Sequence, residues 1–285
     1  MNNILVTGGD GQLGSELKAL AIHYNNYNYI FTDVDDLDIT NHTLVVEFIK
    51  AHKISFIINC AAYTAVDKAE EQFEIADKIN HLAVANFAQI AKENNVKLIH
   101  ISTDYVFDGT AHKPYAEIDT PNPQSVYGKT KLSGEEAILT INPENSIIIR
   151  TSWVYSIYGN NFVKTMLRLG KDRDKLNVVA DQVGTPTNAA DLAKTILEIV
   201  PKIENKKVEL YHYSNQGICS WYDFTKAIFE INGNSIKVKP IGTIDYPTPA
   251  KRPYYSVLSK QKIEKKFNIK IPYWKDSLLV SMNKL

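Results

Sequence analysis

Apolar residues in the first half of the chain gather in short runs separated by amphipathic stretches. Runs of strand length cover 4–7, 29–32, 56–59, 98–102 and 146–150, and apolar positions recur at helical spacing over 40–51, 73–93 and 125–139. Steady alternation of strand and helix predicts an α/β fold, a Rossmann-type doubly wound parallel sheet with helices on both faces. Ligands of such a sheet bind beyond the carboxyl ends of the strands, where the strand order reverses. After Arg150 the alternation weakens, and aromatics, prolines and short polar segments take over without a low-complexity linker or internal repeat. Residues 1–150 therefore read as a dinucleotide-binding domain. Residues 151–285 read mainly as a smaller carboxy-terminal substrate-binding domain, with segments returning to the first.

The strand ends carry the candidate chemistry. The first run leads into a turn with glycines at Gly8, Gly11 and Gly14, followed by a helical pattern through Glu16, Leu17 and Leu20. Such a turn lets the main chain approach a diphosphate, and the helix amino terminus offers it free N–H groups and a positive dipole end. Asp33 closes the second run, nineteen residues beyond Gly14. An acid there accepts hydrogen bonds from the adenosine ribose and repels a 2′-phosphate, which favours NADH over NADPH. Asp35, Asp36 and Asp38 crowd the same loop. After the third run, the small residues of the segment from Asn59 to Thr64 let a dinucleotide lie against the backbone; after the fourth, Ser102, Thr103 and Asp104 put hydroxyls beside the nicotinamide.

Tyr127 and Lys131 stand four residues apart in a helical stretch. They share a helix face, so the ammonium is expected near the phenol, lowering its pKa from about 10 toward the range that suits a general acid for carbonyl reduction. Such a pair is common on solvated helices, and its weight comes from the strand-end motifs around it.

Composition narrows the function classes. A chain of 285 residues, 44% apolar, has material for a large α/β core and a smaller companion. With 32 basic and 32 acidic side chains interspersed, nothing recruits nucleic acid or an anionic membrane by bulk electrostatics. Cys60 and Cys219 lack metal-ligand spacing and read as small core residues of a protein in a reducing compartment, with no metal ligands expected. Neither a signal-peptide pattern nor a run near 20 apolar residues is present, so a soluble, cytoplasmic protein is expected. In the second half, Trp153, Asn160 and Asn161 suit stacking on and hydrogen bonding to a base or sugar, and Arg252 suits a phosphate.

Six segments, 7–14, 59–70, 102–109, 127–131, 150–155 and 181–187, together resemble the dTDP-4-dehydrorhamnose reductases, which are extended short-chain dehydrogenase/reductases. The resemblance runs from residue 4 to about 260. It implies reduction of dTDP-4-dehydro-L-rhamnose at C4 by NADH or NADPH, the last step in making dTDP-L-rhamnose for cell-surface polysaccharide. By position, it implies that Gly11, Gln12 and Leu13, within the turn from Gly8 to Gly14, contact the pyrophosphate. Asp33, Asp38 and Ile39 would contact the adenosine, and Ala62, Tyr63 and Thr64 the nicotinamide half. Thr103, Asp104 and Trp153 would touch the dTDP-4-keto-6-deoxy sugar. Tyr127 would donate the proton, Lys131 would hold the nicotinamide ribose and tune the tyrosine, and Thr103, where short-chain enzymes usually carry serine, would bond the carbonyl oxygen. A homodimer is implied, in relatives sometimes with Mg2+ at its interface.

Two departures stand out: Ser156 replaces a common glycine, and Gly9-Asp10 replaces a small or polar pair, with the Asp10 side chain expected in solvent. Related readings are another nucleotide-sugar 4-keto reductase, an epimerase or dehydratase that keeps NAD+ bound, and a regulatory subunit of methionine adenosyltransferase type. Intact Thr103, Tyr127 and Lys131 favour catalysis. No motif reads the stereochemistry of the sugar.

Overall fold

In the computed structural model, which describes residues 2–285, six strands form the central sheet: β1 (Asn2–Thr7), β2 (Tyr27–Thr32), β3 (Ile54–Asn59), β4 (Lys97–Thr103), β5 (Ser146–Thr151) and β6 (Glu209–His212). Their order is β6-β5-β4-β3-β1-β2, with every neighbouring pair parallel. Five strands fall on the apolar runs. The sixth comes from the later half, and its four residues were too short a run for the pattern to mark. The order reverses at β1 and β3, so a crevice opens beyond their carboxyl ends.

Helices cover both faces, as a parallel sheet requires. Those on the sheet are α1 (Gln12–Ala21), α2 (His42–Ala51), α3 (Ala83–Asn94), α4 (Val126–Ile141) and α6 (Ala189–Ile199), while α5 (Phe162–Asp172) and α7 (Trp221–Ile231) lie apart from it. Successive strand residues point to opposite faces. Ile4, Val6, Ile58, Ile99 and Ile147 thus pack with Leu13 and Leu17 of α1 and with Leu192 and Ile196 of α6. Leu5, Ile57, Leu98 and Ile148 pack on the other side with Val45 and Ile49 of α2, Phe87 of α3 and Ile138 of α4. A further core joins Val163 and Met166 of α5, Phe224 and Ile228 of α7, Trp274 and Leu278. The parallel pair Lys175–Val179 and Lys237–Ile241 lies in this region.

The single helix expected over 73–93 is interrupted. Phe73–Asp77 is α-helical, Lys78–Leu82 widens to a π-helix, and α3 follows. The cause lies in Asn80, wholly buried in the widened turn. Its side chain accepts from the Tyr63 N–H (2.9 Å) and donates to the Tyr63 carbonyl (3.1 Å) and the Thr130 hydroxyl (3.2 Å). The widened turn thereby clamps the loop after β3, a use of π-turns that recurs at functional sites. Among the described residues no helix is long and apolar enough to cross a membrane.

Candidate active site

The first strand delivers its chain into a turn with no room for side chains. Gly8 has φ +65°, and a Cβ on it would lie 2.8 Å from the Ala61 nitrogen; one on Gly14 would lie 2.1 Å from the Gly8 carbonyl oxygen. Gly14 thus lets α1 start hard against the turn and forms no part of the cavity wall. Gly11 caps α1 in an extended conformation with no side-chain cap, so the first-turn amides remain for a ligand. The turn faces a cavity of about 640 Å³ whose wall includes Gly8, Gly11, Gln12 and Leu13. An open helix amino terminus against a glycine turn fits a diphosphate.

At one end of this cavity stand Asp10, Asp33, Asp38 and Ile39. Asp33 also braces the turn, since its carboxylate accepts from the Asp10 N–H (3.0 Å) and the Val34 N–H (2.8 Å). Asp38 accepts from the Thr40 hydroxyl and N–H, bonds that hold its carboxyl below the usual range. Asp10 belongs to the wall as well, and the residue is exposed to solvent. Ala62 and Thr64 line the opposite stretch. Tyr63 does not: its main chain is taken by Asn80, and its phenol donates to Gln72 at 2.5 Å. Cys60 is half-buried, packed against the core on one side and lining the cavity on the other, and burial pushes its thiol up to about 12.

The catalytic candidates meet where β4 ends against α4. Ser125 caps α4 by accepting from the Gly128 N–H (3.1 Å), and a Cβ on Gly128 would lie 2.3 Å from the Tyr105 carbonyl oxygen. Glycine there lets the helix close on the turn after β4. Tyr127 consequently packs edge-on to Tyr105, with ring centroids 5.5 Å apart, and neighbours Thr103. Both Tyr127 and Lys131 line the cavity.

The expected acidification of the phenol is not what the structure holds. Burial pushes Tyr127 up to about 12; the Thr103 hydroxyl draws it down in part, and the Asp104 charge raises it again. Lys131 spends its ammonium elsewhere, donating to the Ile101 carbonyl at 2.7 Å and lying 3.2 Å from His100 Nε2. Helical spacing put both side chains on one face but did not decide where a buried ammonium finds its acceptor. Burial also draws Lys131 down to about 8, against the pull of Glu135 and Cys60. Tyr127 is accordingly a protonated phenol at neutral pH, the form a proton donor needs.

Asp104 is buried with one oxygen, Oδ2, lacking any partner, while Oδ1 accepts from the Thr103 hydroxyl at 3.1 Å; burial lifts its carboxyl to about 6, and the nearby Ser256 and Thr103 hydroxyls draw it down only in part. Beneath it, Glu135 and Arg150 form a buried ion pair at 2.6 Å, and Ser102 donates to the same carboxylate. A second cavity, of about 760 Å³, contains Trp153, Trp221, Tyr246, Arg173 and Lys175 in its wall. Trp153 takes φ +49° and stacks on Trp221, centroids 3.5 Å apart. Arg252, expected to face a phosphate, also lines this cavity and is paired there with Asp67 at 2.7 Å. Among the described residues no group of three or more His, Cys, Asp or Glu side chains gathers to hold a metal ion.

The family model described as the RmlD substrate binding domain matches residues 1–285. A dTDP-4-dehydrorhamnose reductase of Aggregatibacter actinomycetemcomitans is 45% identical, covering 98% of this chain and 97% of the relative. The chain belongs to the dTDP-4-dehydrorhamnose reductase family. Among solved structures of that family, one from Clostridium acetobutylicum superposes with a TM-score of 0.94 at 47% identity, covering 99% of each chain. Another, from Bacillus anthracis in complex with NADP, gives 0.94 at 37% identity over the whole of both.

Within this family frame Ser156 acquires a place. Its hydroxyl donates to buried Glu16 on α1 (2.6 Å) and accepts from the Tyr158 N–H (2.9 Å), while Asn161 donates to Gln12 (3.1 Å). Gly159 and Asn160, between them, reach the cavity at the glycine turn. The substitution therefore ties the loop to the helix that starts at that turn. Sequence reasoning missed Asn80, Trp221, Arg173 and Lys175. None sits in a short motif; each matters through a partner that only the fold brings near.

Proposed function

We propose that this chain reduces dTDP-4-dehydro-β-L-rhamnose to dTDP-L-rhamnose with a reduced nicotinamide cofactor. The observation that carries the reading is that Tyr127, with Thr103 beside it, and Lys131 share the wall of one cavity with an open helix amino terminus. Bound NADH or NADPH supplies the hydride. Tyr127 delivers its proton to the C4 oxygen as negative charge develops there, and the Thr103 hydroxyl bonds the same oxygen. An alkoxide is a stronger base than a phenolate, so a phenol near 12 still gives up its proton to it. Lys131 faces the nicotinamide ribose from the cavity wall. Gly8, Gly11, Gln12 and Leu13 seat the diphosphate, while Asp33, Asp38 and Ile39 flank the adenosine. Gly14 serves by packing, and Ala62 and Thr64 meet the nicotinamide half, with Tyr63 behind them.

The sugar nucleotide occupies the second cavity, with Trp153 and Trp221 offering an aromatic face and Arg173 and Lys175 offering cations to its diphosphate. Unpartnered Asp104 Oδ2 accepts from a sugar hydroxyl. Residues 1–150 with β6 then form the cofactor domain and most of 151–285 the substrate domain. A cytoplasmic homodimer completes the reading, supported by two free thiols and by the resemblance; any Mg2+ belongs to its interface. The test is NADPH oxidation with dTDP-4-dehydro-L-rhamnose, with product stereochemistry read by NMR. No oxidation with this or any other dTDP-4-keto-6-deoxy sugar would defeat the reading.

A further inference from the structure

Behind Lys131 lies a file of buried polar side chains that the reaction above does not use. Lys131 Nζ is 3.2 Å from His100 Nε2, His100 Nδ1 is 3.1 Å from Asn59 Nδ2, and Asn59 Oδ1 accepts from the Thr7 hydroxyl at 2.7 Å. None of the four residues is more than 1% exposed. They come from α4, β4, β3 and β1, so the file crosses the floor of the crevice. Polar groups buried this deeply destabilise the fold unless each finds a partner, and here every contact leads back to the lysine.

The Ile101 carbonyl can only accept from Lys131, whereas an imidazole can accept or donate. Two hydrogen arrangements satisfy the file. With Lys131 as ammonium, Nζ donates to Nε2, the ring hydrogen sits on Nδ1 and bonds Asn59 Oδ1, and Asn59 Nδ2 donates to the Thr7 oxygen. With Lys131 as amine, the ring hydrogen on Nε2 bonds the nitrogen lone pair, Nδ1 accepts from Asn59 Nδ2, and Asn59 Oδ1 accepts from Thr7. The structure holds the amide in the second orientation. Passing from the second to the first adds one proton to the lysine, moves the ring hydrogen from Nε2 to Nδ1 and turns over the Asn59 amide. The ring stays neutral in both, in keeping with burial and the adjacent lysine holding its pKa well below the ordinary value.

We propose that His100, aligned by Asn59 and Thr7, is a positioning residue that holds Lys131 at the cofactor cavity in either charge state, its tautomer following the proton of the lysine. This deepens the reading of Lys131 as the group facing the nicotinamide ribose and rests on it. The other groups facing Lys131 are Glu135, paired with Arg150, and Cys60; Tyr127 stands one turn back on α4. Cys60 and Tyr127 both titrate near 12, well above Lys131 at about 8.

The deciding measurement is 15N NMR of histidine-labelled wild-type protein from about pH 7 to about pH 9.5, a range that brackets the lysine. The His100 ring should pass from Nδ1–H to Nε2–H with an apparent pKa near that of Lys131; a tautomer fixed throughout overturns the proposal. Paired variants give the second test. The amide of His100→Gln reaches the position of Nε2, and that of His100→Asn reaches only Nδ1. NADPH should bind about tenfold more weakly to His100→Asn and within about threefold of wild type to His100→Gln, the difference of one charged hydrogen bond. Equal weakening in both, in step with Tm, would mean that His100 only packs. Should a variant fail to fold, the wild-type spectrum still decides. Neither test uses a sugar nucleotide, so a failed reductase assay and a fixed tautomer are separate outcomes.

Discussion

The cavity at the glycine turn has glycines and alanines in its wall, Gly8, Gly11, Ala61 and Ala62 among them, whereas the neighbouring cavity has neither among the described residues and is walled by Trp153, Trp221, Arg173, Lys175 and other larger side chains. In the first, a Cβ on Gly8 would lie 2.8 Å from the Ala61 nitrogen, which leaves the backbone no room for a side chain there. In the second, shape depends on how side chains stack, as Trp153 does on Trp221. A main-chain seat recognises what all dinucleotides share. A side-chain seat can be recut by substitution without disturbing the sheet, so the proposed reading places selectivity for the sugar nucleotide there.

The sharpest way to break this division is at Tyr127, which lines the first cavity and packs edge-on to Tyr105 in the wall of the second. Tyr127→Phe should lower kcat by about 10²–10⁴ while leaving the NADPH dissociation constant within about twofold of wild type. Turnover equal to wild type at saturating substrate would take the phenol out of the reaction.

Asp104 provides the next largest effect, and it reads stability. Its carboxyl is raised from 3.8 to about 6 in the fold. The native state therefore binds a proton more tightly than the unfolded chain between those values. Stability from this group is complete below about pH 3.8, falls as pH rises to about 6, and stays at the lower level above. Asp104→Asn should accordingly raise stability at pH 7.5 by up to about 3 kcal/mol and flatten the pH dependence of Tm between those values. It should also weaken binding of the sugar nucleotide, since an acceptor is lost. A variant no more stable at pH 7.5 would mean that water reaches this carboxylate.

The contrast between the cavities also explains what the sequence revealed. Runs such as 4–7 and 146–150 are buried on both faces of a parallel sheet, so their character is continuous and visible without a structure. The glycine turn and the Tyr127 to Lys131 spacing are local, and both landed in one cavity. Three things escaped. Asn80 works through Tyr63 and Thr130, seventeen and fifty positions away, by a π-turn that apolar periodicity does not register. The charge state of Tyr127 depends on burial and on where Lys131 finds a carbonyl, neither of which spacing contains. The aromatic cavity gathers residues from Asp67 to Pro253, and no short window announces such a set.

Trp221→Ala tests whether the side-chain cavity stands apart from the main-chain one. Loss of the stacked ring frees Trp153, whose backbone at φ +49° is unfavourable for a residue with a Cβ. KM for the sugar nucleotide should rise about tenfold, the scale of one aromatic pair, with NADPH affinity unchanged. If NADPH affinity falls equally, the two cavities act as one and the division fails.

The smallest effect refines the main-chain side of the comparison, where one charged side chain interrupts a backbone seat. Asp10, Asp33 and Asp38 stand at the end of the cavity where we propose the adenosine lies, and Lys131 is the basic side chain its wall contains among the described residues. That arrangement disfavours a 2′-phosphate, although a relative binds NADP. Asp33→Ser removes one anion and keeps an oxygen to accept from the Asp10 N–H, the bond that steadies the turn. The ratio of NADPH to NADH affinity should rise about fivefold, as expected for one unit charge at about 4 Å in water. Because both cofactors share the turn, any loosening of it cancels in the ratio, and only the charge remains. A ratio unchanged from wild type would confine Asp33 to bracing the glycine turn and leave cofactor choice to the shape of the backbone alone.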